Sequence, residues 1–136
     1  MQKELTVNEK MVLAFLKMVE ERTSPDSIAQ FYHEDVQQTE FPNAVTTTTA
    51  VRTMIDLKQA AERGSRILQK ETYEVANVYS SGNTVILEAV WKGTLSVSIG
   101  KLAAGDIMQA YFAQIFEFKD GKIFRQRNYD CFEPFI

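Results

Sequence analysis

Residues 109–132 read QAYFAQIFEFKDGKIFRQRNYDCF, and this stretch decides the fold. It holds two runs rich in aromatic and β-branched residues, Gln109 to Lys119 and Lys122 to Phe132, joined by Asp120-Gly121. Asp-Gly between such runs signals a tight hairpin, because both central residues of the turn need positive φ. Two more runs of the same kind lie upstream, Leu68 to Tyr79 and Val85 to Val97, separated by Ser81-Gly82-Asn83. A looser segment, Gly100 to Gly105, connects them to the hairpin. The second half of the chain is therefore expected to form four long antiparallel strands.

Towards the N-terminus the apolar spacing becomes that of helices. Thr6 and Glu9 stand as in a capping box, where each side chain satisfies the other residue's free backbone N–H. Val12, Phe15, Leu16 and Val19 then make one stripe, predicting a helix to about Arg22. Ser24-Pro25-Asp26 restarts the chain with a cap, a proline whose missing N–H costs nothing, and a carboxylate at the positive end of the dipole. The short helix that follows carries Ile28, Phe31 and Tyr32 on one face and should end near His33. Asp35 to Phe41 reads as a short strand closed by Pro42-Asn43. The run Thr46 to Thr49 reads as a loop whose last member caps a third helix, from about Ala50 to Arg63. Val51, Met54, Ile55 and Ala61 would be its apolar face, and Gly64 would stop it in the left-handed conformation. Three helices before four long strands predict an α+β fold, with the helices over one face of a curved sheet.

The 136 residues suit a single domain spanning 1–136. With 15 Lys+Arg against 18 Asp+Glu, the chain lacks the basic surplus of a nucleic-acid binder. One cysteine excludes an internal disulfide, and one cysteine with one histidine argues against a zinc site. No apolar run approaches the roughly 18 residues of a membrane span, and MQKELTVNEK lacks the core of a signal peptide. The expectation is a cytoplasmic chain with no membrane, metal or cofactor requirement.

The order helix, helix, short strand, helix, four long strands resembles the SnoaL-like branch of the nuclear transport factor 2-like superfamily. That superfamily includes polyketide cyclases, ketosteroid isomerase and limonene epoxide hydrolase. The residues carrying the likeness are Phe31-Tyr32-His33-Glu34-Asp35-Val36, Phe116-Glu117-Phe118-Lys119-Asp120-Gly121-Lys122-Ile123, and the ending Arg127-Asn128-Tyr129-Asp130-Cys131-Phe132-Glu133-Pro134. The last is similar to that of a subgroup of mostly uncharacterised members. The resemblance implies a sheet curled round the helices into a cone-shaped barrel. It also implies a small, largely apolar ligand in the open end and a homodimer formed through the outer face of the sheet.

Period-two alternation then assigns inner and outer faces. Alignment of the Asp120-Gly121 turn with ketosteroid isomerase puts Phe124, Gln126, Asn128 and Asp130 inside, with Ile123, Arg125, Arg127 and Tyr129 outside. The same alignment turns Ala110, Phe112, Gln114 and Phe116 inward. Val85, Leu87, Ala89 and Trp91 form the natural inner set of their strand. A β-bulge would break this parity.

Asp130 is the leading catalytic candidate. A carboxylate at the mouth of an aromatic-lined cavity is partly desolvated, which raises its pKa and strengthens it as a base. Glu40 is the second: counting from Asp35 puts it at the isomerase's base position, whereas counting back from Pro42 puts Phe41 there. The isomerase's oxyanion donors, a tyrosine and a protonated aspartic acid, correspond here to Phe15 and Gln114, which argues against steroid isomerisation. The Asp–Arg–Asp set of the epoxide hydrolase is not evident, with Arg52, Arg125 and Arg127 unplaced. Tyr32 and His33, near the expected entrance, join Phe41, Trp91, Phe112, Gln114, Phe116, Gln126 and Asn128 as candidate ligand contacts. Cys131 alternates away from Asp130 and reads as a buried small residue. Tyr111 and Tyr129, of the outer parity, suit a dimer face.

The resemblance, taken with these residues, implies a protein that binds a small hydrophobic molecule and carries out cofactor-free acid–base chemistry of cyclase, isomerase or hydrolase type. The competing reading is a non-catalytic ligand-binding or protein-interaction domain of the same fold.

Overall fold

The computed structural model describes residues 4–21 and 24–136. Helix α1, Val7–Glu20, starts where the sequence places it. Thr6 Oγ1 accepts the Glu9 N–H at 3.1 Å and the Glu9 carboxylate accepts the Thr6 N–H at 2.9 Å. Its stripe buries Val12, Phe15 and Leu16. The extension of this helix to Arg22 lies outside the described residues.

Pro25–Gln30 is a 3₁₀ segment and not an α-helix reaching His33. Strand β1, Tyr32–Glu40, takes over at once, so Tyr32 and His33 are strand residues and Phe41 falls outside the strand. The cause is pairing. Ile123 N–H reaches Phe31 O at 2.8 Å, and Tyr32 lies in register with Ile123.

The largest departure from the sequence reading follows. Ala50–Arg52 is not the first turn of a helix but strand β2, antiparallel to β1 with Gln38 opposite Arg52 and Glu40 opposite Ala50. Helix α2 spans Met54–Ile67, and Thr53 rather than Thr49 is its cap. The Asp56 carboxylate accepts both the N–H and the hydroxyl of Thr53. Val51 and Ile55, 59% and 66% exposed, are not on the buried face, which centres on Leu57. Gly64 does not stop the helix. It is absent from the positive-φ positions, and α2 runs on to Ile67 before passing directly into β3.

Strands β3 (Leu68–Ser81), β4 (Thr84–Leu95), β5 (Ile107–Lys119) and β6 (Lys122–Phe132) match the expected runs closely. Asp120 and Gly121 have φ of 52° and 75°, the pair of left-handed residues that suits the turn to the twist of the strands. The sheet order is β2-β1-β6-β5-β4-β3, antiparallel throughout except for the parallel pair β1–β6. The fold is thus α+β with a six-stranded mixed sheet. It does not close into the expected barrel, since β2 and β3 remain edges.

One bulge decides the faces of β6. Phe118 pairs with Ile123 and Glu117 with Arg125, so Phe124 is the extra residue. Ile123 is consequently buried, opposite to the parity expected, while Phe124 packs under the Arg125 guanidinium, 3.8 Å from its ring centre. Beyond the bulge the expected parity holds, and Gln126, Asn128 and Asp130 share the inner face.

Two apolar clusters form. One joins α1 to Val85, Leu87, Phe116 and Ile123. The other gathers Trp91, Leu95, Met108, Ala110 and Phe135. Among the described residues no helix is long and apolar enough to cross a membrane.

Candidate functional site

A cavity of about 470 Å³ lies between the helices and the inner face of the sheet. α2 leaves room for it with a face of small residues, Ala60, Ala61, Gly64 and Ser65, and a Cβ added at Gly64 would meet nothing within 4 Å. The sheet supplies two chemically distinct walls.

The apolar wall is aromatic. Trp91 and Phe112 stack at 5.6 Å with 14° between their planes, and Phe132 and Tyr73 meet Phe112 edge-on. Gly93 makes this possible: a Cβ there would come within 2.5 Å of the Trp91 ring. The indole N–H of Trp91 donates to Glu71 at 2.9 Å. Burial pushes the Tyr73 hydroxyl well above its ordinary range, so it stays neutral.

The polar wall is a row of side chains across β2, β1 and β6. Arg52 donates to Glu40 at 2.7 Å and to Gln38 Oε1 at 3.2 Å. Gln38 Nε2 donates to the Tyr32 hydroxyl at 3.4 Å, which donates to Gln126 Oε1. Gln126 Nε2 donates to Asn128 Oδ1 at 2.8 Å. Desolvation holds the Tyr32 hydroxyl far above its usual range, so it is a donor throughout physiological pH. Glu40 has both oxygens engaged, one by Arg52 and the other by Asn43 Nδ2 at 2.8 Å.

Asp130 stands where the walls meet. Its protein hydrogen bonds come from Gln114 Nε2, at 3.3 and 3.5 Å. Burial is the main cause that raises its pKa, to about 7; the Glu40 charge adds to the rise and the Gln114 contact opposes it. It is a carboxylate poised to exchange a proton near neutrality.

Of the residues singled out from sequence, Asp130, Glu40, Tyr32, Trp91, Phe112, Gln114, Gln126 and Asn128 line the cavity. His33, Phe41 and Phe116 are not among the lining residues. His33 packs edge-on to Phe124 at 5.1 Å, with Nε2 3.7 Å from Asp120. Phe41 stacks on Tyr129 at 4.8 Å, so Glu40 is the member of that pair that faces the cavity. Phe116 is fully buried in the core against Phe15. Cys131 is exposed, not the buried residue expected. Sequence reasoning missed Gln38, Tyr73 and Phe132 and left Arg52 unplaced. Gln38 shares the parity of Glu40 on β1 and could have been found from it, but Arg52 required knowing that β2 exists.

The SnoaL-like domain profile matches residues 12–126. The chain belongs to the SnoaL-like family. Asn128 and Asp130 lie just beyond the matched segment. Three solved structures share this SnoaL-like fold with the chain. IdmH of Streptomyces antibioticus, a candidate polyketide cyclase, is 13% identical with a TM-score of 0.75, covering 90% of this chain and 91% of its own. A candidate polyketide cyclase of Acidithiobacillus ferrooxidans is 10% identical with a TM-score of 0.76, covering 95% and 91%. A Catenulispora acidiphila protein with a ketosteroid isomerase-like fold, solved with trimethylamine, is 16% identical with a TM-score of 0.71, covering 88% and 84%. No curated protein sequence matches the chain significantly.

Proposed function

We propose that this SnoaL-like protein binds a small hydrophobic carbonyl compound and catalyses proton transfer on it without a cofactor, with Asp130 as general base. The supporting observation is the placement of Asp130: a carboxylate held near pH 7 by burial, anchored by one amide and bordered by aromatic rings. A base with a pKa near the working pH combines a large ionised fraction with useful basicity. Asp130 removes a proton from carbon, the C–H electron pair becomes the C=C bond of an enolate, and the carbonyl oxygen takes the negative charge. Return of the proton to another carbon is an isomerisation. Attack of the enolate on a second carbonyl, whose oxygen takes the proton back from Asp130, is an aldol-type cyclisation; two of the structural neighbours are candidate polyketide cyclases. Glu40 contributes through its charge, which raises the pKa of Asp130, and through its hold on Arg52. Trp91, Phe112, Gln114 and Tyr32 shape the binding site. A homodimer through the outer face would cover Tyr111 and Tyr129, both exposed there; sedimentation measures it.

Deuterium exchange at the acidic carbon of β-tetralone, a bicyclic ketone small enough for the cavity, tests the base directly. The wild type should accelerate exchange, with a rate that rises through about pH 7 as Asp130 ionises. Asp130→Asn should abolish the acceleration while β-tetralone still raises the melting temperature. Acceleration that survives Asp130→Asn refutes the assignment, and binding without acceleration leaves the non-catalytic ligand-binding reading. A thermal-shift screen of aromatic polyketides, steroids, terpene epoxides and unsaturated lactones would then narrow the natural ligand.

A further inference from the structure

The polar wall has a direction. A guanidinium can only donate, so Arg52 forces Gln38 to turn its carbonyl oxygen towards it and its amino group away. That amino group donates to the Tyr32 oxygen, which leaves the Tyr32 proton to go to Gln126. Gln126 accepts with its oxygen and donates with its nitrogen to Asn128 Oδ1. Each amide is fixed by the one before it, and the last group in the row is the amino group of Asn128. Asn128 is 6% exposed and lines the cavity. No protein acceptor meets its Nδ2 among the described residues, and a buried N–H is normally paired.

We infer that Asn128 Nδ2 is the oxyanion donor of the site and that Arg52 is a positioning residue, locking that amide through Gln38, Tyr32 and Gln126. This rests on the reading of Asp130 as the base and adds to it the class of substrate. Asn128 and Asp130 are two residues apart on the same face of β6, so their side chains rise roughly 6–7 Å apart. Groups at that spacing, each reaching inward by a hydrogen bond, suit a carbonyl oxygen and the carbon next to it. The substrate is therefore a ketone, ester or lactone with an acidic C–H beside its carbonyl. Its planar unsaturated body would lie along Trp91 and Phe112. Alignment of successive donors also polarises the row, so the terminal N–H is a stronger donor than an isolated amide. The charge that develops on the carbonyl oxygen is what this donor answers.

The test uses naphthols carrying increasingly electron-withdrawing substituents, whose oxygen imitates an enolate more closely as acidity rises. Trp91 is the only tryptophan in the chain, so quenching of its fluorescence reports occupancy of the cavity. Wild-type affinity should rise with naphthol acidity. Asn128→Leu, similar in size but without a donor, should flatten that slope and weaken the most acidic naphthol by on the order of 10- to 100-fold. Arg52→Met should flatten it too, and the double variant should be no worse than Asn128→Leu alone, because both act on one donor. General structural damage would weaken all naphthols equally and leave the slope intact. If Arg52→Met does not fold, Tyr32→Phe breaks the row one link further on while keeping the Arg52–Glu40 pair, and the same flattening is expected. A slope unchanged in Asn128→Leu, with β-tetralone exchange still dependent on Asp130, overturns the donor assignment and leaves the base. A slope flattened by Asn128→Leu but untouched by Arg52→Met and Tyr32→Phe overturns the positioning role. Absence of both naphthol binding and tetralone exchange in the wild type overturns the two readings together.

Discussion

Replacing the candidate base should make the protein more stable, and only where that base is ionised. Asp130 has a pKa of about 7 in the folded protein against an ordinary value of 3.8. The folded state therefore binds the proton more tightly than the unfolded chain. Stability is unaffected below about pH 4, where both states are protonated, falls as pH rises between the two values, and reaches its full deficit above about pH 7. Three pKa units correspond to about 4 kcal/mol, an upper figure because Asp130 is only partly buried. Asp130→Asn removes the ionisation and keeps an oxygen to accept from Gln114. Denaturant unfolding of both proteins should show a small difference near pH 4, a gain for the variant of roughly 1–2 kcal/mol at pH 5, and roughly 3–4 kcal/mol at pH 8. All other titrating groups are common to the two proteins, so the difference isolates this carboxylate. A difference that does not change with pH would mean that Asp130 is not held out of water. A variant less stable at pH 8 than at pH 5, relative to wild type, would reverse the sign of the whole argument.

Three further outcomes follow from particular contacts. Glu40→Gln removes the like charge facing Asp130, so the rising limb of β-tetralone exchange should move to lower pH; a limb that stays or rises would contradict the coupling. Gly93→Ala forces a methyl group onto the Trp91 ring and Leu68, and should cost about 1–3 kcal/mol in denaturant unfolding while changing Trp91 emission. Thr6→Ala deletes the side chain that accepts the Glu9 N–H and should cost about 1 kcal/mol in the same measurement, with no effect on cavity binding.

The elements with strong local signals were legible. The capping box of α1 and the Asp120-Gly121 turn each depend on neighbours within three residues, and both formed as read. So did the four long strands, whose length makes small errors at their ends unimportant. What failed depended on partners distant in sequence. Ala50–Arg52 has weak propensity of its own and becomes a strand only because β1 offers it a ladder. Tyr32 left the expected helix because it pairs with Ile123 of β6, and His33 follows it along the strand. The inner face of β6 was read correctly from Gln126 onward and wrongly before it, because a bulge cannot be seen in alternation. Since Asn128 and Asp130 lie after the bulge, the candidate base and its neighbours survived that error.

The misread segments share a location. Gly64 failed to stop α2, and the helix that continues through it presents small residues to the cavity. β2 was unseen, and it carries the arginine that starts the polar row. Local rules and tertiary structure agree over most of a natural chain, and their disagreements tend to gather at functional sites. The parallel pairing of β1 with β6 is the step that turns these disagreements into one site. It sets Gln38 beside Gln126 and Glu40 beside Asn128 in register, while β2 sets Arg52 beside Gln38. A guanidinium from one edge of the sheet is thereby connected to an amide two strands away, two residues from Asp130 on the same face. An antiparallel β1 would point these side chains in a different order, and the direction of the row would be lost.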